Sequence, residues 1–396
     1  MKSYFSRGIC PGSFFAKGMH GEDIETCIDE KLYRLNEVTD MIDSHVHLRW
    51  PNDIDNLNML RESIGARAMC IVSVIGRDDI NDNPALYAAK AAFPNSTYIF
   101  PALNHAGSFS NGKVNPAPLD QQIKELVEVG ADGLKMIESK PTHRKLVDIA
   151  VDDLYYEKMF AQVEEIGMPI TWHVADPEEF WYPEKTPSWA SGRGWGYDQS
   201  WPSKESFYTE VDMVLKQHPK LKVMFSHFYF LSADLPSAAA FLDSYEGVCL
   251  DLAPGIEMLY NLSKSPDVAR DFFIKYSHRI VFGTDIEAGA TEQEAIIRAG
   301  IVTRWLQTED EYRVPVDADY TLGPPEDGVI RGMKLPEDCL ENIYTRNFER
   351  MVGAQPKTLN AKFALELANR QAEQIEAYNG DPEAALESAR RLEAGV

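Results

Sequence analysis

The sequence predicts an α/β protein, a closed (β/α)8 barrel with an aromatic-rich insertion after its fifth strand and a helical C-terminal tail. Two observations carry this expectation. Eight short apolar runs recur between residues 41 and 285 with amphipathic stretches between them, the alternation of a parallel sheet wrapped by helices. Most runs are rich in Val, Ile and Phe without strict polar alternation, as strands buried on both faces are. An open doubly wound sheet is the alternative, and no G-x-G-x-x-G follows the first run to support it.

The first run, "MIDSHVH" from residue 41, takes an apolar pair into Asp43 and then into His45 and His47, one residue apart. Residues two apart on a strand point the same way, so both imidazoles can close on one ion. "AMCIVSV" from 68 and "TYIFPAL" from 97 follow, and "ADGLKMI" from 131 places Lys135 within the end of the fourth strand. "MPITWHV" from 168 ends near His173 and "LKVMFSH" from 221 on His227. "GVCLDL" from 247 is the seventh run, and "RIVFGTD" from 279 ends on Asp285. Between them "LDQQIKELVEVG", "LYYEKMFAQVEEIG" and "SPDVARDFFIKYS" repeat apolar residues every three or four positions and close on Gly or Ser, as helices do. The domain reading is a polar N-terminal arm over 1–40, the barrel over 41–354 with its insertion at 176–204, and a helical tail over 355–396. The tail, rich in Ala, Glu and Leu, is expected on the outside of the barrel or on another subunit of a homo-oligomer.

At 396 residues, 44% hydrophobic and 26% charged, the chain has the composition of an ordinary globular protein. A formal charge of −23 argues against nucleic acid and against anionic membrane as partners, and leaves a small-molecule substrate. Five scattered cysteines with no C-x-x-C suggest neither a disulfide framework nor a thiolate metal site. No signal-peptide core and no membrane-length apolar segment is visible, so the expected location is the cytoplasm.

In barrel enzymes the chemistry gathers where the strands end. His45, His47, His173, His227 and Asp285 all fall there, and they include four of the nine histidines. Singly each has a plain explanation, a histidine bonded to a backbone carbonyl or an aspartate capping a helix. Jointly they predict a metal site. Neutral imidazoles with a carboxylate suit one divalent ion, Zn2+ first and Mn2+ second, with an open position for an acidified water.

In these motifs the sequence resembles the amidohydrolase superfamily, and within it the amidohydrolase-related branch that includes aminocarboxymuconate-semialdehyde decarboxylase-like enzymes. The resemblance covers about residues 40–353 through "IDSHVH", "GLK", "WHVADP", "FSHF", "FGTD" and "ENIYTRNFERM". It implies His45, His47 and His173 as ligands of one metal, with Asp285 as a further ligand that also handles the proton of the attacking water. It implies His227 beside the metal as an acid/base or polarising group. For Lys135 it implies either a carboxylated bridge between two metals, with His227 on the second, or an ammonium near the substrate beside one metal; the single-metal reading is preferred. Asp43 is expected to orient a ligand or the strand end. Glu138, three residues from Lys135 on a strand, faces the other side and is expected in solvent unless it pairs with that lysine.

The insertion "DPEEFWYPEKTPSWASGRGWGYDQSWPSKES" holds Trp181, Trp189, Trp195 and Trp201, four of seven tryptophans, with Tyr182, Tyr197 and Arg193. Irregular sequence this aromatic must fold over something, as a structural flap or as a lid on a planar substrate. Trp181, Trp189, Arg193 and Trp195, with Lys135, are the candidate substrate contacts; Lys140 and Arg144 are either carboxylate binders or solvated charges. Two reactions fit: hydrolysis of a C–N or C–O bond, such as an amide or lactone, in a small cyclic or aromatic compound, or non-oxidative decarboxylation of a small aromatic or unsaturated acid. Hydrolysis is preferred. "HVHLRWP" and "FGTDIEAG" lack the nearby prolines of the decarboxylase-like pattern, and Asp285 offers a general base without a further residue.

Overall fold

A computed structural model describes residues 15–17, 23–25, 40–75, 81–105, 116–255, 257–315, 318–323 and 328–395. Most of the N-terminal arm lies outside the described residues; within it Phe15–Lys17 and Asp23–Glu25 pair antiparallel. The eight apolar runs all form strands: β1 Ile42–His47, β2 Ala68–Val72, β3 Thr97–Phe100, β4 Leu134–Ser139, β5 Ile170–Val174, β6 Val223–Phe225, β7 Val248–Asp251 and β8 Ile280–Val281. Their side chains are almost all buried, which is why these segments read as continuous apolar runs.

The strands run parallel in chain order in two sheets, β1 to β3 and β4 to β8, which meet at two seams. At the first, Ala102 bridges Lys135, and Lys135 N donates to the Pro101 carbonyl at 2.9 Å. At the second, the eighth strand breaks. Its first part pairs with β7, and after a bend Ile286–Glu287 pairs with β1. Ser44 N donates to Phe282 O at 3.0 Å and Asp285 N to His45 O at 2.9 Å across that bend. Beneath it, buried Asn347 donates its amide to the carbonyls of Ser277 and Ile280, both at 2.7 Å. The (β/α)8 arrangement thus sets the C-terminal ends of all eight strands around one mouth.

Helices follow the strands: α1 Ile54–Ser63, α2 Asn83–Ala92, α3 Leu119–Val129, α4 Leu154–Ile166, α5 Lys204–Gln217, α6 Leu235–Ser244, α7 Pro266–Tyr276 and α8 Glu292–Gln307, of which α3, α4 and α7 fall in the three amphipathic stretches quoted above. α3 stops at Gly130, whose φ of 87° needs glycine, and a Cβ there would meet the Thr358 carbonyl oxygen at 2.2 Å. The tail forms α9 Ala361–Ala377 and α10 Glu383–Glu393, packed on α2 and α3 of its own barrel. Gln371 donates to the Asn81 carbonyl at 2.6 Å and Asn104 to the Gln374 amide oxygen at 3.0 Å. A buried ion pair fixes the same side: Lys90 reaches Asp132 at 2.5 Å, and Asp132 also accepts from Ile99 N and Lys357 N. No described helix is long and apolar enough to cross a membrane.

Candidate metal centre

The site starts from β1. Its register against β2 shifts between Asp43 and Val46, a bulge that leaves the His45 and His47 rings 5.2 Å apart at the strand end. Across the seam Asp285 adopts φ 57°, a conformation uncommon outside glycine, and points its carboxylate back at both rings. Asp285 Oδ1 lies 3.1 Å from His47 Nε2 and 3.6 Å from His45 Nε2, and the three candidate ligand atoms lie within 4.8 Å of one another. Asp43, fully buried, straps this bend: it accepts from Thr284 Oγ1 at 2.6 Å, Thr284 N at 3.0 Å and His45 N at 3.2 Å.

A residue that the strand-end reading passed over completes the arrangement. Asp251, the last residue of β7, accepts from His45 Nδ1 at 2.8 Å through one oxygen, and from the backbone N–H groups of His227 and Ala253 through the other. A carboxylate only accepts, so the His45 proton sits on Nδ1 and the Nε2 lone pair faces Asp285. Burial, and next the nearby Lys135 charge, holds His45 well below the ordinary imidazole range, in the neutral form a metal requires. Burial raises Asp285, but the His47 hydrogen bond and the surrounding imidazoles outweigh it and keep that carboxyl well below its ordinary range. Burial pushes Asp251 up to about 6 and Asp43 up to about 7 despite the donors around them.

Two imidazoles and a carboxylate form a donor set that fits a zinc or manganese ion. Among the described residues, buried His47 Nδ1 has no hydrogen-bond partner, and the ring's hydrogen bond is made at Nε2 to Asp285.

His227 follows β6 in a run of four left-handed residues, His227–Phe230, with φ of 56°, 56°, 55° and 49°. Local strain of this kind persists where surrounding contacts dictate it; here Asp251 holds the His227 N–H. His227 Nδ1 donates to Ala253 O at 3.1 Å, which leaves Nε2 as its acceptor. The ring stands 5.5 Å from that of His45 and 4.8 Å from that of His173. His173 itself is not in the three-residue cluster. Its Nε2 instead meets Ala175 O at 3.0 Å and Asp176 at 3.3 Å.

Lys135 lies near the start of β4 rather than its end, because the strand runs on to Ser139. Its side chain reaches His45 Nε2 at 3.1 Å and Ser226 Oγ at 3.4 Å, so it enters the site nevertheless. Glu138 is neither solvated nor paired with Lys135: it is buried and bonded to His105 Nε2 at 3.0 Å and Ile137 N at 2.8 Å. Lys140 and Arg144 are not loop charges in water either. Lys140 is buried against Asp176 and lies 4.5 Å over the Trp195 ring, and Arg144 lies 3.7 Å from Glu210.

Above the cluster is a cavity of about 530 Å³, ordinary for a small-molecule site. His47, Lys135, His173, His227 and Asp285 line its floor; from the insertion Phe180, Arg193 and Trp195 line its side. Trp181 turns elsewhere. It packs on Tyr197 and donates to Pro202 O at 3.0 Å, in a small aromatic core of the insertion itself. Trp189 lies on the short helix Ser188–Ser191, and its side chain is outside the described residues.

Fold and site together define a parallel (β/α)8 protein with a His-His-Asp cluster of metal-ligand type, of which His47 and Asp285 line a cavity. No family model matches the chain, and no curated protein does. Among solved structures it is similar to 2,6-dihydroxybenzoate decarboxylase from Rhizobium, at 13% identity and TM-score 0.48 over 79% of this chain and 98% of that one. It is similar to a probable 2-pyrone-4,6-dicarboxylic acid hydrolase from Acinetobacter baumannii, at 12% identity and TM-score 0.47 over 79% and 99%. A manganese-bound dihydroxybenzoic acid decarboxylase from Polaromonas is similar at 11% identity and TM-score 0.48 over 79% and 97%.

Proposed function

We propose that the protein is a metal-dependent enzyme of the amidohydrolase type, and that it hydrolyses a C–N or C–O bond, as in an amide or lactone, of a small cyclic or aromatic compound. The observation that carries the reading is the convergence of His45, His47 and Asp285, of which His47 and Asp285 line a cavity of about 530 Å³. His45, His47 and Asp285 would hold one divalent ion, joined by His173 once its Nε2 is released. When bound, such an ion supplies Lewis acidity toward a substrate oxygen and toward water.

The chain's own groups supply the rest. Asp285, kept ionised among imidazoles, is the base that takes a proton from the attacking water. His227, with Nδ1 engaged on Ala253 O, presents the Nε2 lone pair to the cavity, where it receives the proton that Asp285 took from water and passes it to the leaving group. The Lys135 ammonium, uncarboxylated, holds an oxygen of the substrate. Phe180 and Trp195 flank a flat ring and keep water from it.

A carboxy-lyase is the competing reading. Lys135 contacts His45 and Ser226 rather than a carboxylate, a placement suited to gripping an acid substrate. Turnover in oxygen-18 water separates the two: hydrolysis puts the label in an acid or alcohol group of the product. Release of carbon dioxide, with solvent deuterium on the product carbon and no oxygen label, would show the lyase instead.

A further inference from the structure

Asp176 follows His173 by three residues and is buried beneath the insertion. Between them Ala175 takes φ 60°, a left-handed conformation unusual for alanine, which turns its carbonyl back onto the His173 ring. A carbonyl only accepts, so the His173 proton sits on Nε2, and Asp176 Oδ1 at 3.3 Å is its second acceptor. A nitrogen carrying that proton and turned to these acceptors offers no lone pair to an ion, and His173 lies outside the distance-defined cluster of His45, His47 and Asp285.

The same carboxylate takes two further donors. Lys140, just past β4, reaches one oxygen, and the Tyr197 hydroxyl of the insertion reaches the other. Lys140 also lies over Trp195, while Tyr197 packs 4.8 Å from Trp181 and 4.9 Å from Trp201. One buried carboxylate therefore touches the end of β4, the end of β5 and the core of the insertion.

We propose that Asp176 is a positioning residue that couples the seat of the insertion to the metal affinity of the site, by holding His173 Nε2 away from the cluster. This rests on the metal-site reading above. A charged acceptor binds an N–H about twice as strongly as a neutral one, so the grip on His173 follows the charge that Asp176 has left to offer it. Asp176→Asn loosens the grip. Tyr197→Phe removes a competing donor and tightens it.

The test is zinc affinity, measured by competition with a chromophoric chelator, in a double-mutant cycle with His173→Ala. The charge change itself acts on the ion in both backgrounds and cancels in the cycle. The His173-dependent part should favour zinc by on the order of tenfold in Asp176→Asn. It should disfavour zinc by about threefold in Tyr197→Phe, where the tyrosine ring and the aromatic core remain. Opposite signs, both lost without His173, support the coupling. Equal effects with and without His173, or the same sign in both variants, overturn it; if Asp176→Asn does not fold, the sign in Tyr197→Phe decides. A wild-type chain that binds no zinc would instead refute the metal-site reading.

Discussion

Replacing Asp251 by Asn probes the geometry of the site most sharply, because the two side chains have the same shape and differ in one group. Asp251 serves three donors: His45 Nδ1 at 2.8 Å on one oxygen, and His227 N at 2.7 Å with Ala253 N at 3.1 Å on the other. An asparagine has a single acceptor. If its oxygen stays on the two backbone N–H groups, its amide faces His45 Nδ1, which must then accept, and the ring proton moves to Nε2. That is the atom turned toward Asp285 and Lys135, so the ligand lone pair is lost. Turned the other way, the amide opposes two backbone donors. Loss of an outer partner of this kind costs about 10 to 100-fold in metal affinity. The tautomer inversion sets the expectation at the upper end, about 100-fold or ~2.7 kcal/mol. Zinc competition on purified protein reads this directly, with far-UV circular dichroism to confirm folding. A folded Asp251→Asn variant that binds zinc within a few-fold of wild type would refute the argument that this carboxylate fixes His45.

The two faces of the insertion separate by variant: Trp195→Ala, at the cavity wall, should raise KM on the order of tenfold with little change in denaturation midpoint. Trp181→Ala, in the insertion's own core, should instead lower stability by about 2–3 kcal/mol in a urea titration and leave KM nearly unchanged. Lys90→Met leaves Asp132 a buried, uncompensated charge and should cost about 3–5 kcal/mol by urea unfolding, with metal content unaffected. Glu257, half-buried with Oε2 enclosed and without a hydrogen-bond partner among the described residues, is pushed by burial from 4.5 up to about 7. The folded chain thus holds a proton that the unfolded chain has lost, and stability falls as pH rises from about 4.5 to about 7. Glu257→Gln should remove that fall, raising Tm above neutrality but not at acid pH; a Tm difference independent of pH would contradict it.

The barrel was legible because strands buried on both faces leave uninterrupted apolar runs: seven of the eight quoted runs contain their strand, and the fourth, ending at Ile137, falls two residues short of Ser139. His45, His47 and Asp285 were legible for a related reason: in a barrel a polar residue at a strand end has one place to go. Asp251 carried a comparable signal, a carboxylate near the end of "GVCLDL", yet its role is to hold a histidine from another strand, which spacing along the chain does not encode. The turn of His173 toward Ala175 was illegible because alanine gives no warning of a positive φ. Lys135 reads as a strand-end residue only if the strand stops at Ile137, and burial of Glu138 against His105 from the loop after β3 carries it to Ser139. In the insertion composition predicted compaction but not orientation, since an irregular segment has no period from which to read a buried face. That Trp195 reaches from the insertion's core to the cavity while Trp181 does not emerges only from packing.

The central claim is tested most directly by counting metal in the protein after zinc loading and removal of loose ion, by inductively coupled plasma mass spectrometry. Wild type should hold about one zinc per chain, and the His45→Ala/His47→Ala double variant, folded by circular dichroism, should hold almost none. A double variant that keeps the wild-type count, or a wild-type chain that takes up no zinc and no manganese, would contradict the account.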